Sequence, residues 1–487
     1  MLSRTLLAGI GLLARETVAA NFIYNGLAIT PQMGWNTWNT FACDVDEELI
    51  LSTAQTLVDL GFRDAGYHHV VLDDCWSNGR YANGSLRPDF TKFPNGMKHV
   101  ADAVHALGMG FGMYSDAGAY TCGMYAGSLG YETQDATTFA SWGVDYLKYD
   151  NCYNEGQSGT PQITQHRYKT MSNALNATGR PILYSMCNWG EDSPWNWAQT
   201  MANSWRMSGD ITDSFNRPDI RCPCDDATEC NLPGFHCSVM NILNKQAMFP
   251  SKSQPGAWSD LDMLEIGNGG MNDEEYKLHM TMWAATKSPL IVGTDVRSLS
   301  PSAYSIYTNP AILAISQDPA GSSIVRRWRQ FTDPDENGQG EISMWAGSLS
   351  QGDYILVLLN AANSAMSMNA TLADIFTDDG GVKSEHAKQS WDVYDLWANR
   401  MSNSTASMVL QSNSTMGAMN ITASYWNATQ MSFADGIKAN SSVLMGTMVG
   451  TVEALGMVIA NVPRHGVVAY RLRPRGAPLS RRRRDEL

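Results

Sequence analysis

Between residues 29 and 300, short apolar runs recur and are separated by segments long enough to form a helix. Such runs predict strands, and the segments Glu47–Leu60 and Lys98–Leu107 carry apolar residues at helical spacing. Strands that alternate with helices in this way predict an α/β fold, a (β/α)8 barrel. The candidate strands are Ile29–Gly34, His69–Leu72, Gly110–Tyr114, Val144–Tyr149, Pro181–Met186, Ser204–Met207, Asp262–Ile266 and Pro289–Val292.

The pattern changes near residue 320. Beyond it the chain is rich in Ser, Thr, Asn and Met, and short apolar stretches such as 354–359 and 466–471 are set between polar segments. Stretches of this kind are typical of antiparallel strands. We therefore predict a barrel domain over residues 21–320 and an antiparallel β domain over residues 321–474.

Polar or aromatic side chains follow nearly every candidate strand of the barrel. In (β/α)8 barrels the active site lies at the C-terminal ends of the strands, so this is the expected position for chemistry. The residues concerned are Trp35, Asp73, Asp74, Asp116, Asp150, Cys187, Asn188, Trp189, Asp210, Asp260 and Asp262.

The segment V-D-Y-L-K-Y-D-N-C-Y-N-E, from Val144 to Glu155, carries the strongest single indication of function. Lys148 and Asp150 are two apart on a strand, so their side chains point to the same face. A carboxylate beside an ammonium group stays ionised near neutral pH, as a nucleophile that attacks a sugar carbon must. A surface ion pair is the alternative interpretation.

A carboxylate nucleophile needs a second carboxyl group to protonate the leaving oxygen. Asp210 is the best candidate, because Gly209 allows a sharp turn after a strand and Arg206 lies four residues before it. Asp210 also suits the N-cap of a helix, and the spacing does not decide between the two roles.

Further residues at the strand ends fit a sugar site. Asp73 and Asp74 are adjacent acceptors for two hydroxyl groups, with a calcium site as the weaker alternative. Indole faces pack against the apolar face of a sugar ring, although core packing is the ordinary role of any one tryptophan. The tryptophans at strand ends are Trp35, Trp38, Trp76 and Trp189.

The composition limits the partners. The chain has 487 residues, a formal net charge of −14 and a pI near 5.1. Because an acidic surface repels a polyanion, nucleic acid is not expected as a partner, and a small neutral or cationic partner fits better. The oligomeric state stays open, a homo-oligomer included.

Residues 1–20 are typical of a secretory signal peptide, with Arg4, the apolar run Leu6–Leu13 and small residues before Asn21. The apolar run is too short to cross a bilayer, and no later segment is long and apolar enough, so no membrane association is expected. We expect N-glycans on part of the N-x-S/T sequons, which are Asn83, Asn176, Asn369, Asn403, Asn413, Asn420, Asn427 and Asn440.

Nine cysteines fit an oxidising compartment, where eight can pair and one is left over. A zinc site over Cys222–Cys237 is disfavoured, because paired C-x2-C knuckles are missing. Residues 475–487 form a basic tail that ends in R-D-E-L, close to the K-D-E-L signal for retention in the endoplasmic reticulum. A tail trimmed by a protease is the alternative. The chain is therefore expected in the secretory pathway, either secreted or retained.

Six motifs resemble those of the α-galactosidases (melibiases) of glycoside hydrolase family 27, and the fungal and yeast members most closely. The resemblance runs from about residue 22 to about residue 300 and implies a (β/α)8 barrel followed by an antiparallel β-sandwich. The motifs are G-W-N-T-W-N, L-D-D-C-W, Y-L-K-Y-D-N-C, S-M-C-N-W-G, W-R-M-S-G-D-I and D-L-D-M-L-E-I-G-N-G-G.

The resemblance assigns roles to matching positions. It implies Asp150 as the nucleophile and Asp210 as the acid/base, with no cofactor and no metal. The disulfides that it implies are Cys43–Cys75, Cys122–Cys152, Cys222–Cys237 and Cys224–Cys230, with Cys187 as a free thiol in the pocket. The substrate-binding residues that it implies are Trp35, Asp73, Asp74, Cys122, Lys148, Cys187, Trp189 and Arg206.

The implied reaction is hydrolysis of terminal α-D-galactose by double displacement, with retention of configuration. The implied substrates are melibiose, raffinose-type oligosaccharides and galactomannan. One alternative is an α-N-acetylgalactosaminidase, which needs room at the 2-position that the bulky Trp189 should take away. The other is a non-catalytic sugar-binding protein, which predicts a missing carboxylate, whereas Asp150 and Asp210 are both present.

Overall fold

The structure, a computed structural model, describes residues 25–216, 237–332, 334, 335, 338, 340–377, 384–412 and 424–476. The predicted signal peptide, the R-D-E-L ending and the sequons Asn413 and Asn420 lie outside these residues. Cys237 is disulfide-bonded. The predicted Cys222–Cys237 and Cys224–Cys230 pairings cannot be followed further, because Cys222, Cys224 and Cys230 lie outside the described residues as well.

Eight parallel strands form one sheet, in the order β10-β1-β2-β5-β6-β7-β8-β9. Leu264, which follows β9, bridges Val292 of β10, so the two edges of the sheet meet. The sheet is the predicted (β/α)8 barrel. Its strands are β1 (Met33–Asn36), β2 (His69–Val71), β5 (Gly110–Asp116), β6 (Tyr146–Asp150), β7 (Leu183–Met186), β8 (Ser204–Arg206), β9 (Trp258–Asp260) and β10 (Leu290–Val292), with a hairpin of β3 (Ser77–Arg80) and β4 (Leu86–Pro88) after β2.

The barrel helices follow the amphipathic segments of the sequence. Helix α2 buries Leu49, Ile50 and Leu57, and its N-cap Asp46 accepts a hydrogen bond from the Leu49 amide at 2.8 Å. The helices of this domain are α1 (Trp38–Phe41), α2 (Glu47–Asp59), α3 (Phe62–Ala65), α4 (Gly96–Ala106), α5 (Glu132–Trp142), α6 (Pro161–Ala177), α7 (Val239–Gln246), α8 (Asp273–Ala285), α9 (Pro301–Tyr307) and α10 (Pro310–Ser316).

Two predicted strands are displaced in the structure. The seventh was predicted at Asp262–Ile266, but Trp258–Asp260 pairs with β8 instead. Asp262 has a φ of 79°, which breaks extended backbone, and the apolar run after it makes a single bridge to β10. The first strand begins at Met33 rather than Ile29, because Pro31 has no amide hydrogen to donate to a ladder.

The C-terminal domain is an antiparallel β-sandwich. One layer has the strand order β11-β12-β13-β18-β15-β16, and β14 pairs with β17 in the other. A second apolar core, which includes Leu356, Leu358 and Trp391, fills the domain. Its strands are β11 (Val325–Phe331), β12 (Glu341–Ser348), β13 (Tyr354–Asn360), β14 (Met366–Thr371), β15 (Trp391–Asp395), β16 (Thr447–Val452), β17 (Met457–Val462) and β18 (Gly466–Pro474), and its helices are α11 (Leu372–Ile375), α12 (Asn403–Gln411), α13 (Phe433–Lys438) and α14 (Ser442–Met445).

The two domains share a packed interface. Helix α8 of the barrel contributes Glu275, which pairs with His465 at 2.7 Å, and Thr281, which accepts a hydrogen bond from the Trp397 indole at 3.0 Å. Buried residues of β18 join the barrel core. Among the described residues, no helix combines the length and the apolar character that a membrane span requires.

Candidate active site

A cavity of about 640 Å³ opens at the C-terminal ends of the barrel strands. Barrel enzymes carry out their chemistry at this end, where loops from different strands converge. Of the catalytic and substrate-binding residues that the family resemblance implies, Trp35 and Cys187 do not line the cavity. Those that do are Asp73, Asp74, Cys122, Lys148, Asp150, Trp189, Arg206 and Asp210.

Asp150 is the last residue of β6 and is 6% exposed. The Tyr114 hydroxyl donates to its Oδ2 at 3.1 Å, and the Asn151 amide donates to its Oδ1 at 3.0 Å. Burial raises the pKa of Asp150 to about 7, and the nearby Lys148 charge acts in the opposite direction. The ionised form of Asp150 therefore depends on the groups around it.

Lys148 is held beside the nucleophile candidate by another carboxylate. Its Nζ donates to Asp73 Oδ2 at 2.8 Å, and the Asn36 amide donates to the same oxygen at 2.7 Å. Burial would lower the pKa of Lys148, but the charges of Asp73 and Asp150 raise it well above the ordinary value. Lys148 is therefore a fixed cation at the floor of the cavity.

Backbone amides orient Asp74. The Cys75 amide donates to its Oδ1 at 2.7 Å, and the Gly123 amide donates to its Oδ2 at 2.7 Å. Both donors lie at or next to a disulfide-bonded cysteine, so the cross-links help to fix this carboxylate. The disulfides are Cys43–Cys75 and Cys122–Cys152.

Asp210 follows β8, and its side chain is 53% exposed. Arg206 Nη2 donates to its Oδ1 at 2.9 Å and also pairs with Asp262 Oδ2 at 2.7 Å. The helix-cap alternative finds no support, because the described residues that follow, 211–216, form no helix. Asp210 is thus an accessible carboxylate held at the mouth of the cavity by a buried guanidinium group.

The tryptophan placement differs from the expectation. Trp35 is fully buried, and its indole donates to the Thr294 carbonyl at 2.9 Å. Trp38, three residues later, lines the cavity instead. Trp76 is also a core residue, whose indole donates to the Tyr114 carbonyl at 2.9 Å. The indole surface offered to a ligand therefore comes from Trp38 and Trp189, and Tyr114 lines the cavity as well.

Cys187 is a free and buried thiol beneath the cavity. Arg206 Nη1 approaches its Sγ at 3.5 Å, and the thiol lines a much smaller void together with Lys148. Two residues on, Trp189 lines the main cavity with a φ of 54°. Of these two residues, which the family resemblance implies as substrate-binding, only Trp189 lines the main cavity.

Several lining residues lay beyond the sequence analysis. Tyr114 donates to Asp150, and a tyrosine inside an apolar strand gave no signal other than core packing. Asp262, which the strand-end pattern did include, pairs with Arg206, the partner of Asp210. Burial raises the pKa of Glu265 to about 8, and Asn39 and Asn268 donate to it. Only the D-L-D-M-L-E motif drew attention to this segment.

Metal binding has little support among the described residues. In one group, three candidate ligand atoms lie close enough together to hold a metal ion. The group consists of Asp116, Cys122 and Cys152. Both sulfur atoms are joined in a disulfide and are not thiolates that a metal could take. The catalytic cavity instead offers carboxylates, cations and indoles, a set suited to a polyhydroxylated ring.

A family model described as "Alpha galactosidase A" matches residues 30–318, and one described as "Alpha galactosidase C-terminal beta sandwich domain" matches residues 339–417. The chain belongs to the α-galactosidase (melibiase) family. It is accordingly a glycoside hydrolase. The first model matches most of the barrel, and the second matches part of the sandwich.

Yeast proteins resemble this chain over nearly its whole length. An "Alpha-galactosidase" of Torulaspora delbrueckii is 54% identical over 475 residues, which are 97% of this chain and 99% of the relative. "Alpha-galactosidase 5" of Saccharomyces cerevisiae is 54% identical over 453 residues, which are 93% of this chain and 95% of the relative. A solved Saccharomyces cerevisiae α-galactosidase has a TM-score of 0.89 at 53% identity and covers 93% of this chain and 99% of its own. A structure of a Saccharomyces cerevisiae α-galactosidase with raffinose has a TM-score of 0.89 at 52% identity. It covers 93% of this chain and 99% of its own.

Replacing Lys148 by methionine is expected to move the acid limb of the kcat/KM profile to higher pH by about 1–3 units. An attacking carboxylate must be ionised; burial raises the pKa of Asp150, and the Lys148 charge lowers it. Loss of the cation raises this pKa further, so activity disappears earlier as the pH falls. The profile is measured with p-nitrophenyl α-galactoside.

Lys252→Met is the matched control, since Lys252 lies outside the cavity and donates to Asn196 at 3.0 Å. It should leave the acid limb in place. An acid limb that is unchanged in Lys148→Met would contradict the electrostatic role assigned to Lys148.

Proposed function

We propose that the chain removes terminal non-reducing α-D-galactose from melibiose, raffinose-type oligosaccharides and galactomannan, with retention of configuration. The observation that carries this proposal is the contrast between two carboxyl groups of one cavity. Asp150 is buried beside Lys148, whereas Asp210 is half exposed and bound to Arg206. One environment suits a nucleophile, and the other suits a group that exchanges protons with water.

In the first step, Asp150 attacks the anomeric carbon while Asp210 protonates the glycosidic oxygen. The bond between that oxygen and the anomeric carbon breaks, and the leaving alcohol departs with the proton. In the second step, Asp210 takes a proton from water, the water oxygen attacks the anomeric carbon, and Asp150 is released. Two inversions give retention.

The floor of the cavity supports a hydroxyl-rich ring as the substrate. Asp73 and Asp74 accept hydrogen bonds, Lys148 and Arg206 donate them, and Trp38 offers an apolar surface. The Saccharomyces cerevisiae relative whose structure was solved with raffinose supports an α-galactoside as the ligand. We assign the hydroxyl contacts of galactose to these residues.

Two other functions are less well supported. An α-N-acetylgalactosaminidase needs space for an acetamido group at the 2-position of the sugar. Trp189 lines the cavity, and we assign its indole to the 2-position, where it takes up that space. A non-catalytic sugar-binding protein needs neither carboxyl group, yet Asp150 and Asp210 share the cavity and each has a cationic partner.

We also propose that the protein acts in the secretory pathway, either secreted or retained through its R-D-E-L ending. The disulfides Cys43–Cys75 and Cys122–Cys152 support an oxidising compartment. We expect N-glycans on part of the sequons. Treatment of the cell-derived protein with an endoglycosidase, followed by mass measurement, tests this; an unchanged mass would contradict it.

Proton NMR of the reaction on p-nitrophenyl α-galactoside tests the stereochemistry. The first product seen should be α-galactose, because double displacement retains configuration, and β-galactose should appear only later by mutarotation. The matching α-N-acetylgalactosaminide should not be cleaved. β-Galactose as the first product would indicate an inverting enzyme, and cleavage of the acetamido sugar would overturn the assigned specificity.

Asp210→Ala should lower kcat/KM on melibiose by about 10²–10⁴-fold and affect the first step on p-nitrophenyl α-galactoside much less. Nitrophenolate leaves without a proton, whereas a sugar alcohol needs one. Added azide should restore turnover and give α-galactosyl azide, since it attacks the same intermediate as water. Equal losses on both substrates, without azide rescue, would contradict Asp210 as the acid/base.

A further inference from the structure

A second cavity of about 440 Å³ adjoins the catalytic cavity, and Trp189 lines both. Its other walls come from the loop after β6, the loop after β7 and the last turn of α7. This volume lies in the range of cavities that hold small ligands. The proposed reaction so far makes no use of it.

Lys245, near the end of α7, lies in the wall of this cavity and is 5% exposed. Its Nζ is 5.9 Å from the centre of the Trp195 ring. In the described part of the chain this amine makes no hydrogen bond and no ion pair, although a buried ammonium group is costly without partners. Burial lowers the pKa of Lys245 to about 8, although the nearby charge of Glu191 acts in the opposite direction, so the amine is still a cation at neutral and acidic pH.

A buried amine that lines a cavity and donates no hydrogen bond indicates a missing acceptor. An anion is a poor candidate, because the carboxylates of Glu191 and Asp192 line the same cavity. Glu191 accepts from Asn151 through Oε2 at 2.9 Å, and its Oε1 has no donor among the described residues. Donor and acceptor groups next to Trp189 and Trp195 are the set that binds a neutral sugar.

The loop that divides the two cavities is built with unusual backbone angles. Trp189, Asp192 and Ser193 have φ values of 54°, 55° and 56°, and a Cβ at Gly190 would lie 2.2 Å from the Met207 carbonyl oxygen. Side chains other than glycine rarely adopt such conformations, which persist where the surrounding structure enforces them. Trp189 is therefore held at the shared wall.

We propose that this second cavity is a subsite for the acceptor part of long α-galactosides, in which Lys245 donates to hydroxyl groups of a sugar beyond the one attached to galactose. The inference rests on the proposed function, because it concerns the remainder of the same substrate. The catalytic cavity binds the galactose, and the chain of sugars extends past Trp189. Glu191 accepts from the same sugar through its free oxygen.

The test compares Lys245→Met with the wild-type enzyme on acceptors of increasing length. The substrates are p-nitrophenyl α-galactoside, melibiose, raffinose and stachyose. The variant should cleave the first two within about twofold of the wild type. It should lose about tenfold or more in kcat/KM on raffinose and stachyose, which have a sugar beyond the one attached to galactose, and this loss matches one hydrogen bond to a charged group. The loss should appear mainly in KM. Lys245→Arg should recover part of it.

Lys252→Met removes a cation on the outer surface and is the matched control, with equal kinetics on all four substrates expected. A Lys245→Met enzyme that matches the wild type on stachyose would overturn the subsite. An equal loss on every substrate would also overturn it, because Lys245 would then act on catalysis itself. Wild-type protein that cleaves none of the substrates would refute the proposed function instead; calorimetry of stachyose binding to Asp150→Ala, with and without Lys245→Met, then tests the subsite alone.

Discussion

The charge of Asp150 is the constraint on which the rest of the site depends. Its position at the end of a central barrel strand removes it from water, and burial raises its pKa to about 7. Lys148 opposes this effect, and Lys148 is itself held by Asp73. Tyr114 and the Asn151 amide supply hydrogen bonds to the carboxylate. The site is therefore a balanced network in which each charge needs the others.

The scaffold explains how these groups meet. Parallel strands end on the same side of the barrel, so Asp73, Asp150 and Asp210 converge although they are far apart in the sequence. The disulfides Cys43–Cys75 and Cys122–Cys152 then tie the loops that carry Asp74 and its amide donors. The β-sandwich packs against α8 on the outside of the barrel, and none of its described residues lines the cavity.

Sequence alone predicted the features that follow from strand phase and from the family motifs. The barrel, the sandwich and the position of Lys148 beside Asp150 follow from local alternation, which the backbone obeys. The position of the seventh strand did not follow from this alternation. The left-handed backbone of Asp262 is set by tertiary contacts with Arg206 and Ile211, which the local sequence does not show. Likewise, whether Trp35 or Trp38 faces the cavity depends on how the loop after β1 turns, which no apolar pattern encodes.

The central claim is that Asp150 forms a covalent bond to galactose. A fluorinated α-galactoside with a good leaving group traps such an intermediate, because the fluorine slows its hydrolysis. Peptide mapping of the inactivated enzyme by mass spectrometry identifies the residue that carries the sugar. We expect the label on Asp150, with stoichiometry of one and recovery of activity as the label is released. A label on another residue, or steady turnover of the reagent with no label at all, would contradict this account.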